Sequence, residues 1–277
     1  MRETESITSA ARVSERSQGT VGVRKALAWG VHFYTALGLV AAAGIVVCLV
    51  EATPGAFRAA FALMALATLI DATDGTLARR VKVKEVTPGF DGRRLDDLID
   101  FLTYTCLPLF LVWRAGLLPE GWNAWLLVPL LASAYGFCQV SVKTDDGYFL
   151  GFPSYWNLVA FYLYMLEPPP LATLAILLIP AILTFVPTRY LYPSQPGLLN
   201  RLTVLLGAPW AILLGVIVWG MSPSDHVNAA TLTTLTWISL LYPAYYLIAS
   251  FVVTARVHLR QRSSRDDYDS SPPPLAA

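Results

Sequence analysis

Charge is scarce in this chain. Asp, Glu, Lys and Arg together make 14% of its 277 residues, and they nearly cancel to a net +1. That balance gives no continuous field of one sign with which to follow a nucleic-acid backbone, so no nucleic-acid partner is expected. Cysteine is sparse too. Cys48, Cys106 and Cys138 each fall inside an apolar run, which excludes a disulfide scaffold or a structural zinc site and leaves them as small core residues. What the chain has in excess is hydrocarbon: 55% of its residues are hydrophobic and its mean hydropathy is +0.53. Soluble domains do not carry such a composition, whereas polytopic membrane proteins do.

The apolar runs predict an all-α integral membrane protein with about eight transmembrane helices, at about residues 26–50, 56–78, 96–113, 122–142, 153–166, 171–186, 202–221 and 229–255. Arg24 and Lys25 before the first run resemble the start of a signal peptide, but the run is too long for one and follows an extended polar stretch, so an uncleaved span is expected. Residues 1–23 and 257–277 are polar and read as disordered cytoplasmic tails around a membrane catalytic domain at 24–256. With eight spans and the N-terminus inside, only Arg58 and Arg114 of the twenty Lys and Arg residues fall near the outer face, while Glu51, Glu120, Glu167 and Asp225 lie in outer loops. This is the positive-inside distribution, and it puts both termini in the cytoplasm.

Against that background the stretch at 71–100, DATDGTLARRVKVKEVTPGFDGRRLDDLID, is anomalous. An ionised carboxylate rarely enters an apolar segment, because burying it without partners costs several kcal/mol. Here Asp71 and Asp74 close one span and Asp96 and Asp100 open the next. Spacings of three and four put each pair on one face of its own helix. Two such helix ends meeting would converge four oxygen ligands, the set that Mg²⁺ or Mn²⁺ prefers. Gly75 and Ala78 leave room for a ligand against the helix, Arg79 can grip an anion bidentately, and Gly92 precedes a helix whose free amides favour phosphate. The constellation reads as a metal and diphosphate site at the cytoplasmic membrane surface. Asp91 and Asp97 are off these faces and read as solvated helix ends. Trp29, His32 and Tyr34, near the start of the first span, read as an interfacial anchor or else as residues that face the site.

The order of these residues resembles the signature of the CDP-alcohol phosphotransferases, D-x(2)-D-G-x(2)-A-R-x(8)-G-x(3)-D-x(3)-D, matched at Asp71, Asp74, Gly75, Ala78, Arg79, Gly92, Asp96 and Asp100. One departure is plain. Twelve residues, 80–91, separate Arg79 from Gly92 where the pattern has eight, and this longer spacer resembles the bacterial phosphatidylcholine synthase branch. The resemblance implies a six-helix family core plus two spans and a bacterial inner-membrane location. It implies transfer of the phosphatidyl group of CDP-diacylglycerol to choline with release of CMP. By the same resemblance, two Mn²⁺ or Mg²⁺ ions are shared among Asp71, Asp74, Asp96 and Asp100, and Asp100 is also the general base. Asp71, Gly75, Ala78, Arg79 and Gly92 hold the nucleotide, and the protein is a homodimer among membrane lipids.

Choline is a quaternary ammonium, recognised by aromatic faces and often a carboxylate. The cytoplasmic segment DDGYFLGFPSYWN supplies Asp145, Asp146, Tyr148, Phe149, Phe152, Tyr155, Trp156 and Asn157. Of these, Tyr148, Phe152, Tyr155, Trp156 and Asn157 are the choline candidates, with Tyr104 and Tyr190 as further aromatic candidates. The competing reading is an aromatic belt at the membrane interface. Arg189 and Arg201, on a second basic loop, are placed to meet lipid phosphate or simply to obey the charge asymmetry. Three functions therefore compete: the choline enzyme; a relative using serine, inositol phosphate or glycerol phosphate; and a divalent-cation transporter. A transporter would need acids near the bilayer midplane in several spans, and the runs after residue 122 carry none.

Overall fold

The structure, a computed structural model, describes residues 2–139, 148–191, 198–221 and 228–269. The chain divides into two compact units, Met1–Leu107 and Pro108–Ala277.

The first unit is built on a long antiparallel hairpin. Helix α1 (Arg2–Glu51) and helix α2 (Pro54–Val81) are joined across Ala52, which takes a left-handed φ of 52°. Thr53 then caps α2, its Oγ1 accepting from Ala56 N at 3.1 Å, and Pro54 starts the helix where its missing N–H costs nothing. Small residues set the spacing. A Cβ on Gly44 would stand 2.8 Å from Leu63 Cδ1, so the two backbones approach more closely than larger residues would allow. Ala41, Ala42, Ile45 and Leu49 of α1 meet a buried face of Ala60, Phe61, Met64, Ala67 and Ile70 on α2. Lys82, at φ 56° and ψ 47°, ends α2 and returns its N–H to Ala78 O. A single turn, α3 (Val83–Val86), follows, and its Val83 packs with Ala28 and Val31 of α1. Asp91 caps α4 (Gly92–Asp100) by accepting from Arg94 N at 3.2 Å. The chain then widens into a π-helical segment, Phe101–Cys106.

The second unit holds α5 (Leu107–Arg114), whose first residue closes the first unit, a 3₁₀ turn at Asn123–Leu126, α6 (Leu127–Cys138), β1 (Tyr148–Leu150), α7 (Trp156–Leu166), α8 (Pro170–Leu183), β2 (Arg189–Leu191), α9 (Leu198–Gly220), α10 (Ala229–Ser239) and α11 (Leu241–Asp269). Strands β1 and β2 pair antiparallel, with Phe149 opposite Tyr190. Glu167 turns left-handed at φ 42° to end α7, and Pro170 starts α8, so the three prolines at 168–170 do mark that boundary.

The outer surface of both units is apolar. Val40 is 66% exposed, Ile212 69% and Trp219 70%. Water would penalise such a surface by about 25 cal/mol per Å², so it is the face of a protein solvated by lipid. Among the described residues, four helices are long and apolar enough to cross a membrane by length and composition: Val21–Glu51, Pro54–Val81, Leu199–Gly220 and Ala229–Val257. Three more apolar helices, Asn123–Cys138, Trp156–Leu166 and Pro170–Leu183, are shorter. The chain is thus a multi-pass, predominantly helical membrane protein, and four of the eight expected spans meet that length by themselves. Within the expected third span, the first turn carries the charged face of α4, and a π segment follows it. The two-stranded ribbon was not expected at all. The polar ends, expected as disordered tails, have helical backbone from Arg2 and as far as Asp269. A helix already nucleated by an apolar span extends outward without paying again for nucleation.

Candidate active site

The site lies in the first unit, where the end of α2 meets α4. On α2, positions four apart stack one above the other, so Asp71, Gly75 and Arg79 form one stripe. Asp74 sits to the side of that stripe and turns toward α1. There its carboxylate is 5% exposed, and Thr35 Oγ1 donates to its Oδ2 at 2.7 Å. On α4, Asp96 and Asp100 are one turn apart. One carboxylate oxygen from each of Asp71, Asp96 and Asp100 lies within 4.8 Å of the others, and all three residues are half-buried. Of the four acids expected to converge, three do so. The fourth, Asp74, stands beside them with one oxygen committed to Thr35.

Three carboxylates this close repel one another. At an effective dielectric constant of about 20, unit charges 4.8 Å apart cost about 3 kcal/mol per pair. Asp100 makes no ion pair among the described residues. The donor set is hard oxygen only, without histidine or thiolate, and matches Mg²⁺ or Mn²⁺ better than zinc or copper. The residues present therefore fit a divalent cation held by Asp71, Asp96 and Asp100, with the free oxygen of Asp74 next to them.

Two side chains orient the acids. Tyr104, on the π segment, donates its hydroxyl to Asp71 Oδ2 at 2.8 Å, and Thr35 does the same for Asp74. Supporting donors of this kind fix the direction of a ligand carboxylate. Tyr104 was expected as an aromatic candidate for the acceptor; the structure commits it to Asp71 instead. Thr35 gave no signal in the sequence, since a threonine in an apolar span more often bonds back to its own helix.

The nucleotide candidates divide. Beside Gly75 there is open space: an added Cβ would meet only Arg79 Nη1, at 3.4 Å. Arg79 is exposed, its Nη2 donating to Thr76 Oγ1 at 3.0 Å. Gly75 and Arg79 thus offer an anion an unobstructed face one and two turns beyond Asp71. Ala78 instead packs against the Ala28, Val31 and Val83 cluster, its small side chain letting α2 lie close to α1. Gly92 does not face open space either, because the ring of His32 fills the place of its side chain. Asp91 caps α4, and Asp97 makes an exposed 3.9 Å pair with Arg93, in keeping with their reading as solvated helix ends.

The choline candidates are all in the second unit. Trp156 is fully buried, its Nε1 donating to Ser133 Oγ at 2.6 Å, and Ser154 Oγ donates to that same oxygen at 3.1 Å. Phe152 is 8% exposed and meets Trp156 edge-on. These two rings build the core and present no open face. Tyr148, Tyr155 and Asn157 are half-buried. The guanidinium of Arg189 stands 5.9 Å from the Tyr148 ring centre, so that ring already faces a cation, and Tyr155 packs on Tyr246. Asn157 Oδ1 accepts from Leu158 N at 2.9 Å. Tyr190 is fully buried between Phe152 and Tyr246. Asp145 and Asp146 lie outside the described residues.

Comparison with known proteins bears on the same stretch. The family model described as CDP-alcohol phosphatidyltransferase matches residues 32–186. The chain is 39% identical over 197 residues to a phosphatidylcholine synthase of Pseudomonas aeruginosa, covering 71% of this chain and 82% of that protein. It is 37% identical over 237 residues to a phosphatidylcholine synthase of Legionella pneumophila, covering 82% and 88%. A phosphatidylcholine synthase of Borreliella burgdorferi is 30% identical over 235 residues, covering 84% and 97%.

Proposed function

Because the chain belongs to the CDP-alcohol phosphatidyltransferase family, we propose that this membrane enzyme transfers the phosphatidyl group of CDP-diacylglycerol to choline, releasing CMP. The observation that carries the reading is the meeting of Asp71, Asp96 and Asp100 beside the open Gly75 and Arg79 face. The names borne by the similar proteins support choline as the acceptor. The same reading includes two Mn²⁺ or Mg²⁺ ions, a site opening to the cytoplasm of a bacterial inner membrane, and a homodimer.

Asp71, Asp96 and Asp100, with Asp74 beside them, would hold the cations. When bound, these neutralise the negative charge that builds on the transferred phosphoryl group and the departing CMP. Gly75 lets the diphosphate lie against α2, and Arg79 grips it from the exposed side. Asp100 takes the proton of the choline hydroxyl as its oxygen bonds to the phosphorus of the phosphatidyl group. The bond from that phosphorus to the CMP oxygen breaks, and the electron pair leaves with CMP. Asp100 stands where the three acids meet, so a hydroxyl brought up to the bound metal would lie within its reach, which suits it to this step. Tyr148, Phe152, Tyr155, Trp156 and Asn157 remain the residues proposed for recognising choline, on the grounds of their aromatic and polar chemistry.

The test is CMP release by purified protein given CDP-diacylglycerol and Mn²⁺ or Mg²⁺, with choline, serine, inositol phosphate and glycerol phosphate offered in turn. Turnover with choline alone is the expected result; turnover with another alcohol and none with choline would overturn the acceptor. Asp100→Asn should abolish turnover while CMP still binds, and loss of both together would refute its role as base.

A further inference from the structure

Gly92 matches a glycine of the family signature, yet its surroundings are not those of a ligand-facing glycine. A Cβ built there would stand 2.6 Å from Cε1 and 2.9 Å from Nδ1 of His32. Sixty residues earlier in the chain, His32 reaches from α1 to the first residue of α4 and is 6% exposed. Its ring is held on three sides. Trp29 flanks it at 5.5 Å between centroids and Phe90 at 4.4 Å, both edge-on. Its Nε2 lies 3.1 Å from Thr87 Oγ1. That hydroxyl also lies 3.0 Å from Val83 O, so it ties the ring to the turn of α3 whichever of Nε2 and Oγ1 donates. The bond thereby holds the orientation of the imidazole.

Thr87 and Phe90 both belong to the spacer at 80–91, the stretch that is longer than the family pattern. Within it, α3 packs Val83 onto Ala28 and Val31 of α1 and brings Thr87 under the imidazole. The extra length thus has a place in the fold: it forms a cup around one histidine. Helix α4 starts where that histidine stops it, and α4 carries Asp96 and Asp100.

We propose that His32 is a positioning residue. Its imidazole, held by Thr87 between Trp29 and Phe90, is the wedge that seats the start of α4 and thereby sets Asp96 and Asp100 against Asp71, and position 92 is glycine because this ring occupies the space of a side chain. The proposal rests on the proposed function only in taking the carboxylate cluster as the place where metal and nucleotide bind; the acceptor does not enter it.

The experiment is a double-mutant cycle read as Mn²⁺-dependent binding of CMP to purified protein, with no acceptor present. Gly92→Ala drives a methyl group into the held ring, so α4 should shift and CMP affinity should fall about tenfold or more. His32→Ala removes the wedge and should weaken binding less. The pair Gly92→Ala with His32→Ala should bind CMP within about threefold of His32→Ala alone, because the added methyl then fills the space the ring has left. A double variant no better than Gly92→Ala would overturn the proposal and assign the glycine to the nucleotide itself. So would a harmless Gly92→Ala. A histidine that only packs would leave the Mn²⁺ requirement of the His32→Ala protein unchanged, whereas one that seats α4 raises it, and an unchanged requirement would overturn the positioning role. Unmodified protein that binds no CMP with Mn²⁺ would sink the reading of the site as a whole, a result distinct from failed rescue. Should the variants not fold, ¹⁵N-histidine NMR of the unmodified protein decides. One of its three histidines should be locked in a single tautomer, and three rings in fast tautomer exchange would overturn the wedge.

Discussion

Removing one hydroxyl, in Tyr104→Phe, tests whether Asp71 is aimed by its neighbour or aims itself. The substitution keeps the ring and deletes only the donor that reaches Asp71 Oδ2 at 2.8 Å. A hydrogen bond to a charged group contributes about 1.5–3 kcal/mol, which at about 1.4 kcal/mol per decade corresponds to roughly 10- to 150-fold in an equilibrium constant. Loss of a residue that orients a metal ligand typically costs about 10–100-fold in metal affinity, which agrees. The expected result is therefore a Mn²⁺ requirement raised by about 10–100-fold, with kcat at saturating Mn²⁺ changed little. The assay is CMP release over a Mn²⁺ titration, with CDP-diacylglycerol and choline held saturating. If kcat at saturating Mn²⁺ fell while the half-saturating concentration stayed put, Tyr104 would be acting on the reacting groups and not through Asp71.

Further expectations concern other contacts. Thr35→Val leaves one oxygen of the buried Asp74 without its donor and should cost about 1–3 kcal/mol, seen as a lower Tm and a higher Mn²⁺ requirement; Thr35→Ser should restore both. Trp156→Ala empties the core of the second unit at a cost of about 3–5 kcal/mol, so it should lower Tm and move the KM values for choline and CDP-diacylglycerol together. Tyr155→Ala should raise the choline KM by about 2- to 30-fold, the equivalent of about 0.5–2 kcal/mol of cation–π contact, and leave the CDP-diacylglycerol KM unchanged. Gly151→Ala should reduce the yield of folded protein: Gly151 sits at φ 80°, and an added Cβ would run into the Thr184 carbonyl oxygen.

The carboxylate site was legible because its logic is local. Spacings of three and four are read directly from helix geometry, so Asp71 with Gly75 and Arg79, and Asp96 with Asp100, could be placed on faces before any fold was known. The separate duty of Asp74 could not be. Three residues from Asp71 is near enough to share its face or to leave it, and the choice depends on where α1 lies and on Thr35 waiting there. Gly92 was legible only as a glycine before a helix start, read there as room for phosphate; its contact with His32 stands sixty residues away, a separation no local pattern spans. Trp156 shows the opposite failure. An aromatic at the head of an apolar run suits an interface, a ligand cage or a core equally well, and only Ser133, on a different helix, decides for the core. The ribbon of Tyr148–Leu150 with Arg189–Leu191 joins segments about forty residues apart, each too short to stand as a strand alone.

The π-helical turn at Phe101–Cys106 makes length, more than side-chain identity, the sensitive property of this part of the chain. Deleting one residue between Asp100 and Tyr104 would let the backbone relax into ordinary α-helix. Tyr104 would then leave the helix at a different angle and no longer meet Asp71, so a more regular helix would carry a less well aimed carboxylate.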